Sequence, residues 1–158
     1  MFMKKFELTS ETIINNGKTL YRIKALIDFS NIKAGELGGF VEKESNLYHK
    51  GNAWVYGNAK VSGDAKVSGN ACISGNTCIS GNARVYGNAD YTTISGFGTR
   101  FRTTTFFKCS DKKIRVNCGC FYGTIDEFRE QVNKTRTGKI AKEYLLIADL
   151  MEEHFKED

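Results

Sequence analysis

The chain has 158 residues, of which 41% are hydrophobic and 26% charged, and a formal net charge of +5. That is one domain's worth of chain with enough apolar content for a core, which excludes global disorder. No run of about 18 apolar residues occurs, which excludes a helical membrane span, and the small basic excess suits an acidic partner without requiring one.

The N-terminal stretch MFMKKFELTSETI lacks the apolar core of a signal peptide. Five cysteines without a secretion signal predict free thiols in a reducing cytosol, so a cytoplasmic protein is expected, in the host cytosol if the chain is phage-encoded. Phe6–Thr9 and Thr19–Phe29 read as strands joined by the turn Asn15-Asn16-Gly17-Lys18. Residues 1–35 are therefore expected to form a β-hairpin cap. In the segment that follows, DFSNIKAGELGGFVEKESNLYHK, counting back in sixes from Gly51 puts Val41 and Leu47 in a small-residue slot. The same count puts Lys43 and His49 in an apolar slot. A degraded unit of this kind suits a capping coil.

From Gly51 to Thr92 the chain reads GNAWVY, GNAKVS, GDAKVS, GNACIS, GNTCIS, GNARVY, GNADYT. A six-residue period gives no 3.6-residue apolar face, and repeated Gly–Asn pairs would destroy a helix. Val, Ile and Tyr at the fifth position favour extended backbone. Gly and Asn tolerate the unusual dihedrals of a corner. One unit is then a short strand and a corner, and three units close a triangle. Val55, Ile73 and Tyr91 are expected in one inward column, Val61 and Ile79 in a second, Val67 and Val85 in a third. Cys72 and Cys78 fall on adjacent faces, too poorly placed for a disulfide.

This repeat resembles the hexapeptide-repeat left-handed parallel β-helix family. The left hand and a homotrimeric assembly are what the resemblance implies. The wording of YRIKALIDFSNIKAGELGGFVEKESNL followed by GNAWVYGNAKVSGDA, within Tyr21–Asp90, is similar to bacterial and bacteriophage hexapeptide proteins that carry a transferase label. The expected fold is mainly β: a triangular prism over residues 36–95 between the hairpin cap and a C-terminal module over 96–158.

In that module, TTTFFKC, a turn at SDKK, and IRVNCGCFY predict a hairpin. Thr124 with Glu127 is a capping box that opens a helix whose apolar face holds Ile125, Phe128 and Val132. After Thr137-Gly138, the residues Ile140, Tyr144, Ile147, Ala148, Met151 and Phe155 form the stripe of a second helix. The module is expected to be ββαα.

Many members of the resembled family transfer acetyl groups from coenzyme A with a histidine base near a subunit cleft. Here the repeat carries no inserted loop. The histidines are His49, whose plainer role is capping the coil, and His154, near a helix C-terminus where its charge suits the dipole. Acetyl-CoA is thus an alternative cofactor and His49 the alternative catalytic residue. Two histidines per chain cannot supply the three-histidine zinc set of the γ-type carbonic anhydrases of this fold. Cys109, Cys118 and Cys120 form a weak alternative metal set, since Cys109 falls across the hairpin from the other two; small buried thiols are the simpler reading.

Lys60, Lys66 and Arg84 take the outward fourth position, and Arg100 and Arg102 add charge on the next segment. Such a face can meet a nucleotide, nucleic acid or another phosphorylated anion, or simply protect strand edges. Trp54, Tyr56 and Tyr86 are read as outward, and exposed aromatics can anchor an interface. The expected function is that of a non-catalytic, phage-type binding protein presenting rigid faces to a protein partner, such as a host factor or a component of antiviral defence. The alternatives are acyl transfer and sequestration of an anionic signal between subunits.

Overall fold

The structure, a computed structural model, describes residues 3–157; the outermost residues of the first and third expected segments lie outside it. Ahead of the repeat come strands β1 (Phe6–Asn15) and β2 (Lys18–Ala25), within the expected cap, and β3 (Leu37–Val41), just beyond it; they pair antiparallel in that order. The repeat makes six two-residue strands: β4 (Trp54–Val55), β5 (Lys60–Val61), β6 (Lys66–Val67), β7 (Cys72–Ile73), β8 (Cys78–Ile79) and β9 (Arg84–Val85). The C-terminal segment contributes β10 (Tyr91–Phe97), β11 (Arg102–Lys108), β12 (Ile114–Cys118) and β13 (Phe121–Thr124). Two helices follow, α1 (Ile125–Thr135) and α2 (Gly138–His154).

The expected mainly-β left-handed helical prism is corrected by this arrangement. The chain is 41% strand and 22% helix, built as several small sheets, with no closed or solenoid sheet. The reason lies in the repeat itself. Gly, Asn and the corner positions take four residues of every six, leaving strands two residues long. Units three apart do pair in parallel, Val55 with Ile73, Val61 with Ile79 and Val67 with Val85. Each such ladder is shallow, however. β4–β7 and β6–β9 are two-stranded, and β5–β8 is absorbed into a five-stranded sheet with β1, β2 and β3.

Two register expectations also fail. Val41 pairs with Val61, and Leu47 bridges Val67. Both side chains are buried in the apolar slot and not in the small one. Two additional residues before Gly51 absorb the offset, because burying two aliphatic side chains outweighs an unbroken count of six. At the other end, the glycines that open the first six units have φ between +56° and +81°, whereas Gly87 has φ −167°. The seventh unit therefore leaves the repeat through a 3-10 turn at Asn88–Asp90, and Tyr91 begins β10 instead of joining the inward column.

A shallow ladder exposes two open edges, and buried peptide groups left without partners are costly. On the first edge the carbonyls of Ala53, Ala59 and Ala65 need donors. The Lys5 ammonium donates to Ala53 O at 2.6 Å and to Gly51 O at 3.3 Å. The Phe40 N–H of β3 reaches Ala59 O. The Asn46 amide donates to Ala65 O at 2.9 Å and Gly63 O at 3.1 Å. On the second edge Cys72 N–H donates to the Asn88 side chain and Cys72 O accepts from the Tyr91 hydroxyl. Cys78 N–H donates to Thr105 Oγ1 at 3.1 Å, and Cys78 O accepts from Asn117 Nδ2 at 2.7 Å. Ala83 is bridged by Cys109.

β10, β11, β12 and β13 form one antiparallel sheet, so the expected two-stranded module is corrected to four strands and two helices. Its faces divide the core. Phe107 packs into the ladder cluster with Val85 and Cys109, while its neighbour Phe106 packs under the helices with Phe128, Tyr144 and Met151. The capping box forms as expected, with Glu127 N–H donating to Thr124 Oγ1 at 3.1 Å and Thr124 N–H to Glu127 Oε1 at 2.9 Å. Arg129 of α1 joins Asp149 and Glu152 of α2 across the helix pair.

Asn46→Ala removes the donor to the buried Ala65 carbonyl and the half-buried Gly63 carbonyl. Urea unfolding should show a loss of about 2–3 kcal/mol, against less than about 0.5 kcal/mol for the exposed Asn76→Ala. Burial lowers the Lys5 ammonium from the ordinary 10.5 to about 8. The folded chain then holds fewer protons than the unfolded chain between those values, so this group's contribution to stability rises with pH across the window. The stability of wild type relative to Lys5→Met should increase from pH 8 to pH 10; a flat or falling difference contradicts the assignment.

Candidate functional site

A concavity of about 400 Å³ lies between the β10–β11 turn, the β12–β13 turn and the second half of α1. Its floor is aromatic. Phe128 meets Tyr144 edge-on with centroids 5.8 Å apart, and Phe121 at 5.7 Å. Tyr144 is 6% exposed, and its hydroxyl donates to Phe97 O at 3.3 Å. Burial first, and the neighbouring Cys118 next, raise this hydroxyl's pKa, against a smaller opposing pull from the Arg136 and Arg102 charges.

Three arginines line the cavity: Arg100 and Arg102 from the first turn, and Arg136 at the C-terminal end of α1. Gln131, Thr99 and Thr135 add to its polar part, and no carboxylate among the described residues lines it. Arg22, Arg115 and Arg129 all pair with carboxylates. Among the described residues Arg100, Arg102 and Arg136 do not; Arg136 reaches only the Thr135 carbonyl. Arg102 lies directly over Gly119, where a Cβ would collide with its guanidinium and where φ is +61°. Glycine at the β12–β13 turn thus answers to the left-handed backbone, since the guanidinium above it is the end of a flexible side chain and can swing aside.

Of the binding residues expected from sequence, the structure brings together Arg100 and Arg102 here and disperses the rest. Trp54 is corrected from outward to buried: it is 1% exposed, wedged edge-on between Phe29 at 5.2 Å and Phe6 at 6.4 Å. Tyr56 is half-buried with its hydroxyl on Asn31. Lys60 donates to Asn58 O. Lys66 pairs in register with Arg84, which donates to the Asp64 and Ala83 carbonyls. Tyr86 remains 54% exposed.

His49 is held on both sides. Its Nδ1 accepts from Lys5 N–H at 3.0 Å, which places the ring proton on Nε2, 2.8 Å from Glu44 Oε1. The ring stacks on Phe6 at 4.4 Å. Cys118 and Cys120 both line the arginine cavity, but Cys109 sits at the other end of the β11–β12 hairpin beside Ala83. Among the described residues no three metal-ligating side chains lie together.

Sequence reasoning passed over Arg136, Gln131 and Tyr144 as site residues. Arg136 sits in the helix break that was legible at Thr137-Gly138, and an arginine there without a neighbouring acid was the available signal. Tyr144 fell on the apolar stripe, which hid its polar end. No family model matches the chain, and no curated protein does. No helix among the described residues is long and apolar enough to cross a membrane.

Gly119→Ala should cost about 1–2 kcal/mol in urea unfolding, from the left-handed backbone. The Arg102 guanidinium is the end of a flexible side chain and can swing aside, so an Arg102→Ala background should change that loss by less than about 0.5 kcal/mol; a larger coupling contradicts this reading.

Proposed function

We propose that this chain is a non-catalytic binding protein for a small anionic molecule, held by Arg100, Arg102 and Arg136. The observation that carries this reading is a cavity of about 400 Å³ lined by three arginines and, among the described residues, by no carboxylate. Three like charges around one concavity repel each other and are relieved by an anion. The planar guanidinium fork matches phosphate and carboxylate oxygens two at a time. The volume falls in the range of small-ligand sites.

The other readings draw less support. An acyltransferase needs a base with a lone pair directed at substrate, and His49 spends its lone pair on the Lys5 amide. A protein partner anchored on outward aromatics loses Trp54 to the core. Sequestration of an anionic signal keeps the expected phage-type, defence-directed role without chemistry on the ligand, and it moves the site from a subunit interface into a single chain.

The test is calorimetric titration with inorganic pyrophosphate, with a parallel thermal melt. Binding should raise the melting temperature by several degrees near 100 times Kd, since such saturation stabilises by about 2.7 kcal/mol. Affinity should fall steeply with added salt. Arg102→Ala and Arg136→Ala should each weaken binding at least tenfold. Wild-type protein that releases no heat and shows no shift overturns the proposal.

A further inference from the structure

The cavity is chemically divided. The three arginines, with Thr99 and Thr135, belong to its rim segments, whereas Phe121, Phe128 and Val132 give it an apolar wall. Phe128 is 3% exposed and braced edge-on by Phe106 and Tyr144, so that wall is rigid. Phe121 is only half-buried and packs on Phe128 at 5.7 Å. A bare inorganic anion would satisfy the guanidiniums and leave this wall unused, and the volume far exceeds what such an ion fills.

We infer that the cavity takes an anion bearing a planar heterocycle, a nucleotide with more than one phosphate charge, its phosphates at Arg100, Arg102 and Arg136 and its base against Phe121. Aromatic rings accept any base face, and an adjacent amide can read the base edge. Gln131, an exposed residue of α1 that also lines the cavity, supplies that amide. This inference rests on the anion-binding reading above and assigns the class of ligand.

The experiment compares three probes by calorimetry on the full chain: ADP, inorganic pyrophosphate and adenosine. The first two carry similar charge and differ by the nucleoside; the third has the ring without the charge. ADP binding at least fivefold tighter than pyrophosphate, with adenosine weaker than both, supports the inference. A smaller ADP preference overturns it while leaving the anion site standing, and failure of both ADP and pyrophosphate to bind removes the two together. Phe121→Leu, checked for folding by circular dichroism, should bring the ratio of ADP to pyrophosphate affinity to about one. An unchanged preference in folded Phe121→Leu overturns the placement of the base. Because Phe121 braces Phe128, Gln131→Ala on the exposed side of α1 serves as the second variant. It should narrow the difference between ADP and CDP; an unaltered difference overturns the role of the amide.

Discussion

The structure depends on closing the open edges of very short parallel ladders. Two-residue strands stacked two or three deep cannot bury their peptide groups by pairing alone. Every outermost carbonyl or N–H that faces the core must find a donor or acceptor from elsewhere. The chain meets this with dissimilar side chains: an ammonium, amides, a threonine hydroxyl and a tyrosine hydroxyl stand in for backbone. The burial of Lys5 and Asn46, at 1% and 0% exposure, follows from that need. So does the docking of the C-terminal sheet, whose Thr105 and Asn117 reach the same residue, Cys78.

The same sheet, with α1 and the first half of α2, also builds the cavity. Successive residues of a strand face opposite sides of a sheet. Thr105 and Asn117 turn toward the ladder, while Phe106 turns toward the helices and Cys118 lines the cavity. The sheet is thus a two-faced plate, with one side closing an edge and the other carrying an aromatic floor. The arginines come from its turns and from the break between helices, where side chains can converge without being part of either core.

Much of this was legible in the sequence, and the failures have specific causes. The six-residue words marked two-residue strands and their pairing three units apart, but not how few layers such strands sustain. Trp54 occupies a position that is outward in the other units. Its burial depends on Phe6 and Phe29, aromatics from a segment whose placement no local pattern reveals. Val41 and Leu47 were miscounted because a two-residue slip is invisible to a strict period. Tyr91 looked like a seventh inward residue; only the backbone at Gly87 shows the departure. The capping box at Thr124 and Glu127 was readable because both partners lie within one turn. Arg136 was not, because its significance comes from the residues of three different elements around it.

The individuality of the edge closures bears on how such a chain could lengthen. Lys5, Asn46 and β3 each fit one particular ladder, and at the other side Tyr91, Thr105 and Cys109 do the same. Inserting one unit or two would confront every closure with the edge of a neighbouring ladder. Insertion of three would hand each closure the ladder it already fits. Growth of this molecule by duplication is therefore stepwise, in blocks of three words, and any intermediate length would need its termini rewritten.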